Sequence, residues 1–339
     1  MEKPPAGEVG LILALAQRFG PAPPEVVLGI GDDCAALDLG GPDYLLWTLD
    51  TLVEGVHFDL AYITLEQLGH KALAVNLSDI AAMGGEPLYA LLSLGWPPGR
   101  DLAGALELGQ GLAQEGRKYG VAVIGGDTVA SPSGLSVTVS VLGRVPRQEM
   151  LRRAGAQPGD RIYVTGTLGE AAAGLEILRR GLEIDPEIRG PLVRAHLAPQ
   201  PQLTAGRLLA WERLASAVID LSDGVASDLY HICRASGVGA RLTAQAVPIS
   251  PRVRAVAAKI GRDPLDLALK GGEDYQLLFT SPRDKAAALA QIFSQAGLAP
   301  PLVLGEIISG EEVRLWEGER EKIISGTGYD HFPLDLKSG

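Results

Sequence analysis

The stretch Val27-Leu-Gly-Ile-Gly-Asp-Asp-Cys-Ala-Ala-Leu37 breaks an apolar, strand-like run at Gly29 and Gly31 and then delivers two adjacent carboxylates, Asp32 and Asp33. Four later segments also run apolar and end on Asp: Leu45 to Asp50, Ala74 to Asp79, Val121 to Asp127, and Ala217 to Gly224 with Asp220 and Asp223. In a sixth, Leu269 to Tyr275, the acids Glu273 and Asp274 precede the apolar run. A single Asp at a strand end is an ordinary turn former or helix cap. Six such segments in one chain point to acidic loops gathered at one place.

Between these loops the apolar spacing alternates between strand and helix periods, so the chain reads as α/β. A helix is expected over residues 8–19. Strand-like Tyr44 to Leu49 leads into a weakly periodic binding loop past Asp50, Glu54 and His57. Thr64 opens a helix that carries Asp79 inside it and stops at Gly84-Gly85. Strands are expected at 88–94 and 135–145, a buried one at 121–124, and an amphipathic helix at 102–119.

Pro146 and a basic patch of Arg144, Arg147, Arg152 and Arg153 mark a boundary, giving domains 1–147 and 148–339. Beyond it, strands are expected at 161–165, 217–221, 275–280, 301–306 and 312–316. Helices are expected at 170–180, 201–213, 225–235 and 284–296, the third capped by Ser222 or Asp223.

The chain has 339 residues, 46% hydrophobic and 21% charged, enough for two domains with a sizeable core. A net charge of -11 with no basic run argues against nucleic acid or an anionic membrane as partner. No apolar run approaches the roughly 20 residues needed to span a bilayer. The two cysteines, Cys34 and Cys233, form no metal or disulfide pattern, which suits a reduced, cytoplasmic setting.

Two ionised carboxylates about 4 Å apart repel by roughly 4 kcal/mol at an effective dielectric near 20, so a convergent cluster calls for cations. Mg²⁺ takes oxygen ligands and bridges carboxylates to phosphates. Gly125-Gly126 and Gly271-Gly272 would let backbone N–H groups approach a phosphate. The common phosphate loop, the zinc helix and the serine nucleophile turn are all missing from the sequence. Of the five histidines only His57 lies near an acidic loop; His70, His196, His231 and His331 read as structural or surface residues. A nucleotide enzyme without the common phosphate loop is the reading that remains.

Gly-Ile-Gly-Asp-Asp-Cys at 29–34, Asn-Leu-Ser-Asp-Ile-Ala-Ala-Met-Gly at 76–84, Ile-Gly-Gly-Asp-Thr at 124–128, Ile-Asp-Leu-Ser-Asp-Gly at 219–224, Gly-Gly-Glu-Asp-Tyr at 271–275 and Gly-Tyr-Asp-His-Phe at 328–332 together resemble the thiamine-monophosphate kinases. Single motifs are shared with a wider superfamily that includes aminoimidazole ribonucleotide synthetase.

The resemblance implies that superfamily's two-domain fold, with mixed sheets covered by helices. It also implies a homodimer joined through the N-terminal domains, and ATP-dependent phosphorylation of thiamine monophosphate with several Mg²⁺ ions. Carried over by motif, Asp33, Thr48, Asp50, Asp79, Asp127, Asp220 and Asp223 would be metal ligands, with Asp32 supporting them or adding a further ligand. Gly126, Asp127, Arg153 and Ser222 would touch ATP, and His57, Glu273 and Tyr329 would face the thiamine substrate. Leu49 departs from the Ser or Thr usual before the equivalent of Asp50, so only its carbonyl is left to meet a metal.

The mechanism implied is direct in-line transfer without a general base. The runner-up among enzymes is a sister ATP-dependent synthetase of the superfamily. The selenophosphate type is disfavoured because no reactive Cys with a nearby Lys occupies the N-terminal region, and the hydrogenase-maturation type because the sequence has no Cys at its end. A catalytically silent nucleotide-binding module is the alternative of a different class.

Overall fold

The structure, a computed structural model, describes residues 7–325 and residue 331. Its first half contains α1 (Gly7–Phe19), β1 (Val26–Leu28), β2 (Ala35–Leu37), β3 (Asp43–Val53), α2 (Leu65–Ala82), β4 (Glu86–Trp96), α3 (Ala103–Tyr119), β5 (Ala122–Ala130) and β6 (Ser136–Pro146). The strands form one sheet in the order β1-β2-β3-β6-β4-β5, antiparallel except for the β4–β5 pair.

Alternation decides the faces of this sheet. On β6, Val137, Val139, Val141 and Val145 are buried, and on β3, Leu46, Thr48 and Leu52 point the same way. This inner face takes α2, which starts at a capping box: the Thr64 side chain accepts from Gln67 N–H, and the Gln67 side chain accepts from Thr64 N–H.

The second half contains β7 (Arg161–Val164), α4 (Glu170–Arg180), α5 (Pro186–Leu197), α6 (Leu203–Trp211), β8 (Ala217–Asp220), α7 (Val225–Ser236), β9 (Gly239–Thr243), α8 (Pro251–Ile260), α9 (Pro264–Lys270), β10 (Leu277–Ser281), α10 (Ala286–Gln295), β11 (Leu302–Ile308), β12 (Val313–Glu317) and β13 (Arg320–Ile323). Its sheet runs β13-β12-β9-β11-β7-β10-β8, with β12–β9 its parallel pair. The chain is thus α/β with two mixed sheets covered by helices.

The two halves share a core. Helix α2 is buried on nearly all sides because α3 packs along it and α6 and β8 of the second half add to the cover from β3 and β6. Contact is close enough that a Cβ on Gly206 of α6 would lie 2.0 Å from the Ala81 carbonyl oxygen. The apolar cluster around Leu68, Leu73, Leu77 and Ile80 continues into Leu203, Leu209, Phe279 and Phe293 of the second half.

Several local expectations need correction. The segment expected as a buried strand at 121–124 is the start of β5, which is exposed along its whole length because it is a sheet edge. Strand β3 continues through Asp50 to Val53 instead of giving way to a loop after Leu49. Neither Ser222 nor Asp223 caps α7 with its side chain; Gly224 holds the cap position, and Asp228 accepts from the N–H groups of Asp223 and Gly224 at 3.2 and 3.1 Å. Helices α5, α8 and α9 were not anticipated, although each opens with a capping residue and a proline, Asp185-Pro186, Ser250-Pro251 and Asp263-Pro264.

Candidate active site

Asp33 stands between β1 and β2, Thr48 and Asp50 on β3, Asp79 near the C-terminal end of α2, and Asp220 at the end of β8. The packing of α2 between the two sheets brings them together. One carboxylate oxygen each from Asp33, Asp79 and Asp220 lies within 4.8 Å of the others. Thr48 Oγ1 donates to Asp79 Oδ2 at 2.5 Å, and the Asp50 N–H donates to Asn76 Oδ1 at 3.1 Å, so α2 is keyed to β3 by two polar contacts.

Asp33 Oδ2 and Asp220 Oδ2 are buried with no hydrogen-bond partner among the described residues. Convergent carboxylate oxygens with open lone pairs fit a hard divalent cation of the Mg²⁺ type. Asp32 spends its carboxylate differently, accepting from the N–H groups of Asp33 and Arg153 at 3.0 and 3.1 Å. It braces the turn that presents Asp33.

Burial is the largest influence on these acids, and neighbouring charge adds to it. It pushes Asp220 up to about 8, with Asp33 adding to the effect. Asp50 and Asp32 each rise to about 6, again through burial first and then Asp33. Asp79 rises through burial and then Asp50, and Asp33 through burial, against the pull of Arg153.

The Arg153 guanidinium stands 2.6 and 3.1 Å from Asp33 Oδ1 through Nη2 and Nε. Burial works against its charge, but Asp33, Asp32 and Asp220 together outweigh that and raise its pKa. The basic patch seen in the sequence is dispersed: Arg144 pairs with Glu86, Arg147 with Asp38, and Arg153 alone of these three turns to the acids.

Beside the acids a cleft of about 510 Å³ opens between the two halves. Asp50, His57 and the backbone beside them line it from the first, and Arg179, Ser222, Asp223, Gly272, Glu273 and Tyr275 from the second. The glycines of the 271–275 loop serve packing: a Cβ on Gly272 would lie 2.4 Å from the Ser222 carbonyl oxygen. The loop is strapped to the segment before α7 by Glu273 N–H to Ser222 O at 2.8 Å and Tyr275 N–H to Leu221 O at 2.9 Å. These two residues hold left-handed backbone, with φ of +67° and +47°, a strained conformation for side chains of this size.

Asp274 turns away and accepts from the N–H groups of Gly169 and Ala171 at the start of α4. Glu273 lies 2.8 Å from the Lys71 ammonium through Oε1 and 2.9 Å from His196 Nδ1 through Oε2. Although burial opposes its charge, Lys71 and then His196 hold its pKa down to about 2. Neither partner was singled out from the sequence, where His196 read as structural or surface. The available signal was a lysine inside the otherwise apolar run Lys71-Ala-Leu-Ala-Val75.

His57 accepts from Val53 N–H through Nδ1 at 3.0 Å, and burial, then His331, lowers its pKa. Tyr329 lies outside the described residues.

Asp127 is not brought to the acid cluster within one chain. The register aligns Thr51, Thr138, Ser93 and Asp127 across β3, β6, β4 and β5, three strand spacings or roughly 14 Å from end to end. The Thr51 and Thr138 hydroxyls meet at 2.8 Å on the outer face, opposite Thr48 and Asp79. Leu49 also points outward and is 61% exposed, which leaves only its carbonyl available to the site. Gly126 has a structural role of its own, since a Cβ there would lie 1.7 Å from the Leu92 carbonyl oxygen and part β5 from β4.

Residues 31–145 match the AIR synthase related protein, N-terminal domain, and residues 157–317 match the C-terminal domain of the same family. The chain is 41% identical over 329 residues to the thiamine-monophosphate kinase of Escherichia coli K12, covering 96% of this chain and 98% of that protein. It is 34% identical over 313 residues to the thiamine-monophosphate kinase of Bacillus subtilis, covering 91% and 94%. A solved structure described as AaThiL complexed with AMPPCP and TMP superposes with a TM-score of 0.83 at 32% identity, covering 98% of this chain and 99% of that one. By these matches, which span both halves and every acidic segment, the chain belongs to the AIR synthase related family and, within it, to the thiamine-monophosphate kinases.

Proposed function

We propose that this protein catalyses ATP-dependent phosphorylation of thiamine monophosphate to thiamine diphosphate by direct in-line transfer of the γ-phosphoryl group. The observation that carries the proposal is near full-length likeness to thiamine-monophosphate kinases, including one solved with AMPPCP and TMP. The chemistry of the cleft supports it. A phosphate monoester dianion is already a nucleophile, so the site needs charge neutralisation and alignment but no base. His57 fits this, its Nδ1 being engaged by the backbone.

Asp33, Asp79 and Asp220 would hold Mg²⁺, with Thr48, Asp50, Asp223 and the Leu49 carbonyl beside them. When bound, the cations supply charge neutralisation at the phosphoryl oxygens. Arg153 holds Asp33 in position and, with Ser222, meets the nucleotide, and His57 and Glu273 face the acceptor. Residues 1–147 and 148–339 act as the two domains, whose facing sides line the cleft for the pair of substrates. Free, buried Cys34 and Cys233 suit a reducing cytoplasm; no helix among the described residues is long and apolar enough to cross a membrane.

A homodimer belongs to the same proposal. The outer face of the first sheet exposes Trp47, Leu49, Tyr89 and Leu91 in adjacent rows, bordered by Val123 and Ile124 on the open edge of β5. An apolar patch beside an unpaired edge strand calls for a partner, and a second copy offers the same face in return. Gly126 and Asp127 would then lie at the subunit interface.

The test is incubation of purified protein with Mg-ATP and a panel of phosphorylated and unphosphorylated acceptors. Equal amounts of ADP and thiamine diphosphate, from thiamine monophosphate alone, are expected. ADP release without thiamine diphosphate, or no turnover at all, would overturn the proposal.

A further inference from the structure

Lys71 is fully buried, 0% exposed, on a helix where the residues that follow it, Ala72 to Val75, are apolar. Burying an ammonium is costly unless it is paired, so its partner matters. That partner is Glu273, which belongs to the other half of the molecule, and the second contact to the same carboxylate, from His196, comes from the end of α5. Lys71 lies beneath the carboxylate at 0% exposure, His196 at 2% exposure reaches the cleft beside it, and the Glu273 side chain keeps 22% of its surface open and lines the cleft. The carboxylate is therefore the most open member of the trio, with one basic nitrogen at ion-pair distance from each oxygen.

The backbone at Glu273 explains what the grip does. With φ at +67°, and Tyr275 two residues on at +47°, the 271–275 loop stands in a conformation that a free loop would leave. It is held by two backbone hydrogen bonds to the Leu221-Ser222 segment and by the Lys71 and His196 contacts. Lys71 also stands eight residues before Asp79 on the same helix, about 12 Å along its axis. One rigid element thus ties the Glu273 wall of the cleft to the carboxylate cluster. The ring of Tyr62 lies 6.2 Å from that of His196.

We infer that Lys71 is a positioning residue for the acceptor: acting through Glu273, and with His196, it fixes the cleft wall that receives the acceptor at a set distance from the acid cluster. A Glu273 carboxylate already matched by Lys71 offers an oriented hydrogen-bond acceptor, suited to an N–H donor or a cationic ring, and not a free negative charge. An ion pair with a purely structural role would affect both substrates together. A clamp on one wall affects one of them. The inference rests on the kinase reading of the cleft.

The experiment compares wild type, Lys71→Met, Glu273→Gln and the double variant as full-length proteins. It measures the KM for thiamine monophosphate, the KM for ATP, kcat, the melting temperature, and the Kd for Mg-ATP by calorimetry without acceptor. Lys71→Met is expected to raise the acceptor KM tenfold or more while the Mg-ATP Kd stays within twofold. The double variant is expected to be no worse than Lys71→Met alone, because Lys71 acts through Glu273.

An acceptor KM within twofold of wild type, a parallel rise for both substrates, or single-variant effects that multiply in the double variant would each overturn the inference. If Lys71→Met does not fold, His196→Leu stands in, removing the second contact to Glu273. A three- to fivefold rise in acceptor KM with unchanged Mg-ATP binding is expected there, and no rise overturns the inference. Failure of wild type to form thiamine diphosphate refutes the kinase reading and this inference together; wild-type turnover with an indifferent Lys71→Met refutes only the latter.

Discussion

Replacing Asp220 by Asn should stabilise the metal-free protein and abolish its response to Mg²⁺. Asp220 is 3% exposed, one of its oxygens has no hydrogen-bond partner among the described residues, and it lies within 4.8 Å of carboxylate oxygens on Asp33 and Asp79. At that spacing each ionised pair repels by about 3 kcal/mol at an effective dielectric near 20. Protons shared within the cluster relieve part of this near neutral pH, since burial and then Asp33 carry Asp220 up to about 8.

The relief from an uncharged isostere is then about 1–3 kcal/mol at pH 7 and larger at pH 9. Melting curves in EDTA should move up by a few degrees, at about 2–4 °C per kcal/mol. In Mg²⁺ at a hundredfold above its Kd, wild type should gain about 2.7 kcal/mol while the variant gains little, so the order of stability reverses. Turnover in the variant should fall by about a hundredfold or more. A variant that melts below wild type in EDTA, or responds to Mg²⁺ as wild type does, would refute the reasoning.

The Glu273 contacts predict a separate dependence on acid. Its pKa falls from 4.5 to about 2 on folding, so the stability it contributes is present above the higher value and is lost as pH falls toward the lower. That is at most about 3 kcal/mol, and the gap in melting temperature between wild type and Glu273→Gln should close between pH 6 and pH 2; a gap independent of pH would count against the ion-paired geometry. Leu49→Asp, which plants a charge on the outer face of the first sheet, should yield a monomer in sedimentation velocity. A dimer that persists would locate the subunit contact elsewhere.

Much of the site was legible in the sequence because its chemistry is carried by residue type in short motifs. Asp33, Asp50, Asp79 and Asp220 could be named from apolar runs that end on an acid, and the Thr64 cap and helical spacing fixed the helix that carries Asp79. Local signals also existed for α5, α8 and α9, where a capping residue precedes proline, but each is short, from seven to twelve residues.

What only the tertiary structure decided is which groups face one another. Sequence spacing cannot say that Asp127 lies on the outer face of the sheet, because that depends on strand order and on register across three pairings. Nor can it say that Arg153 is engaged by Asp33, or that glycines which look like phosphate cradles are needed for backbone packing at Ser222 and Leu92. The Lys71–Glu273–His196 contacts join positions up to 202 residues apart, counting from Lys71 to Glu273. A lysine and a glutamate find each other over that distance because α2 is buried between two sheets, where an unpaired charge would be too costly to keep.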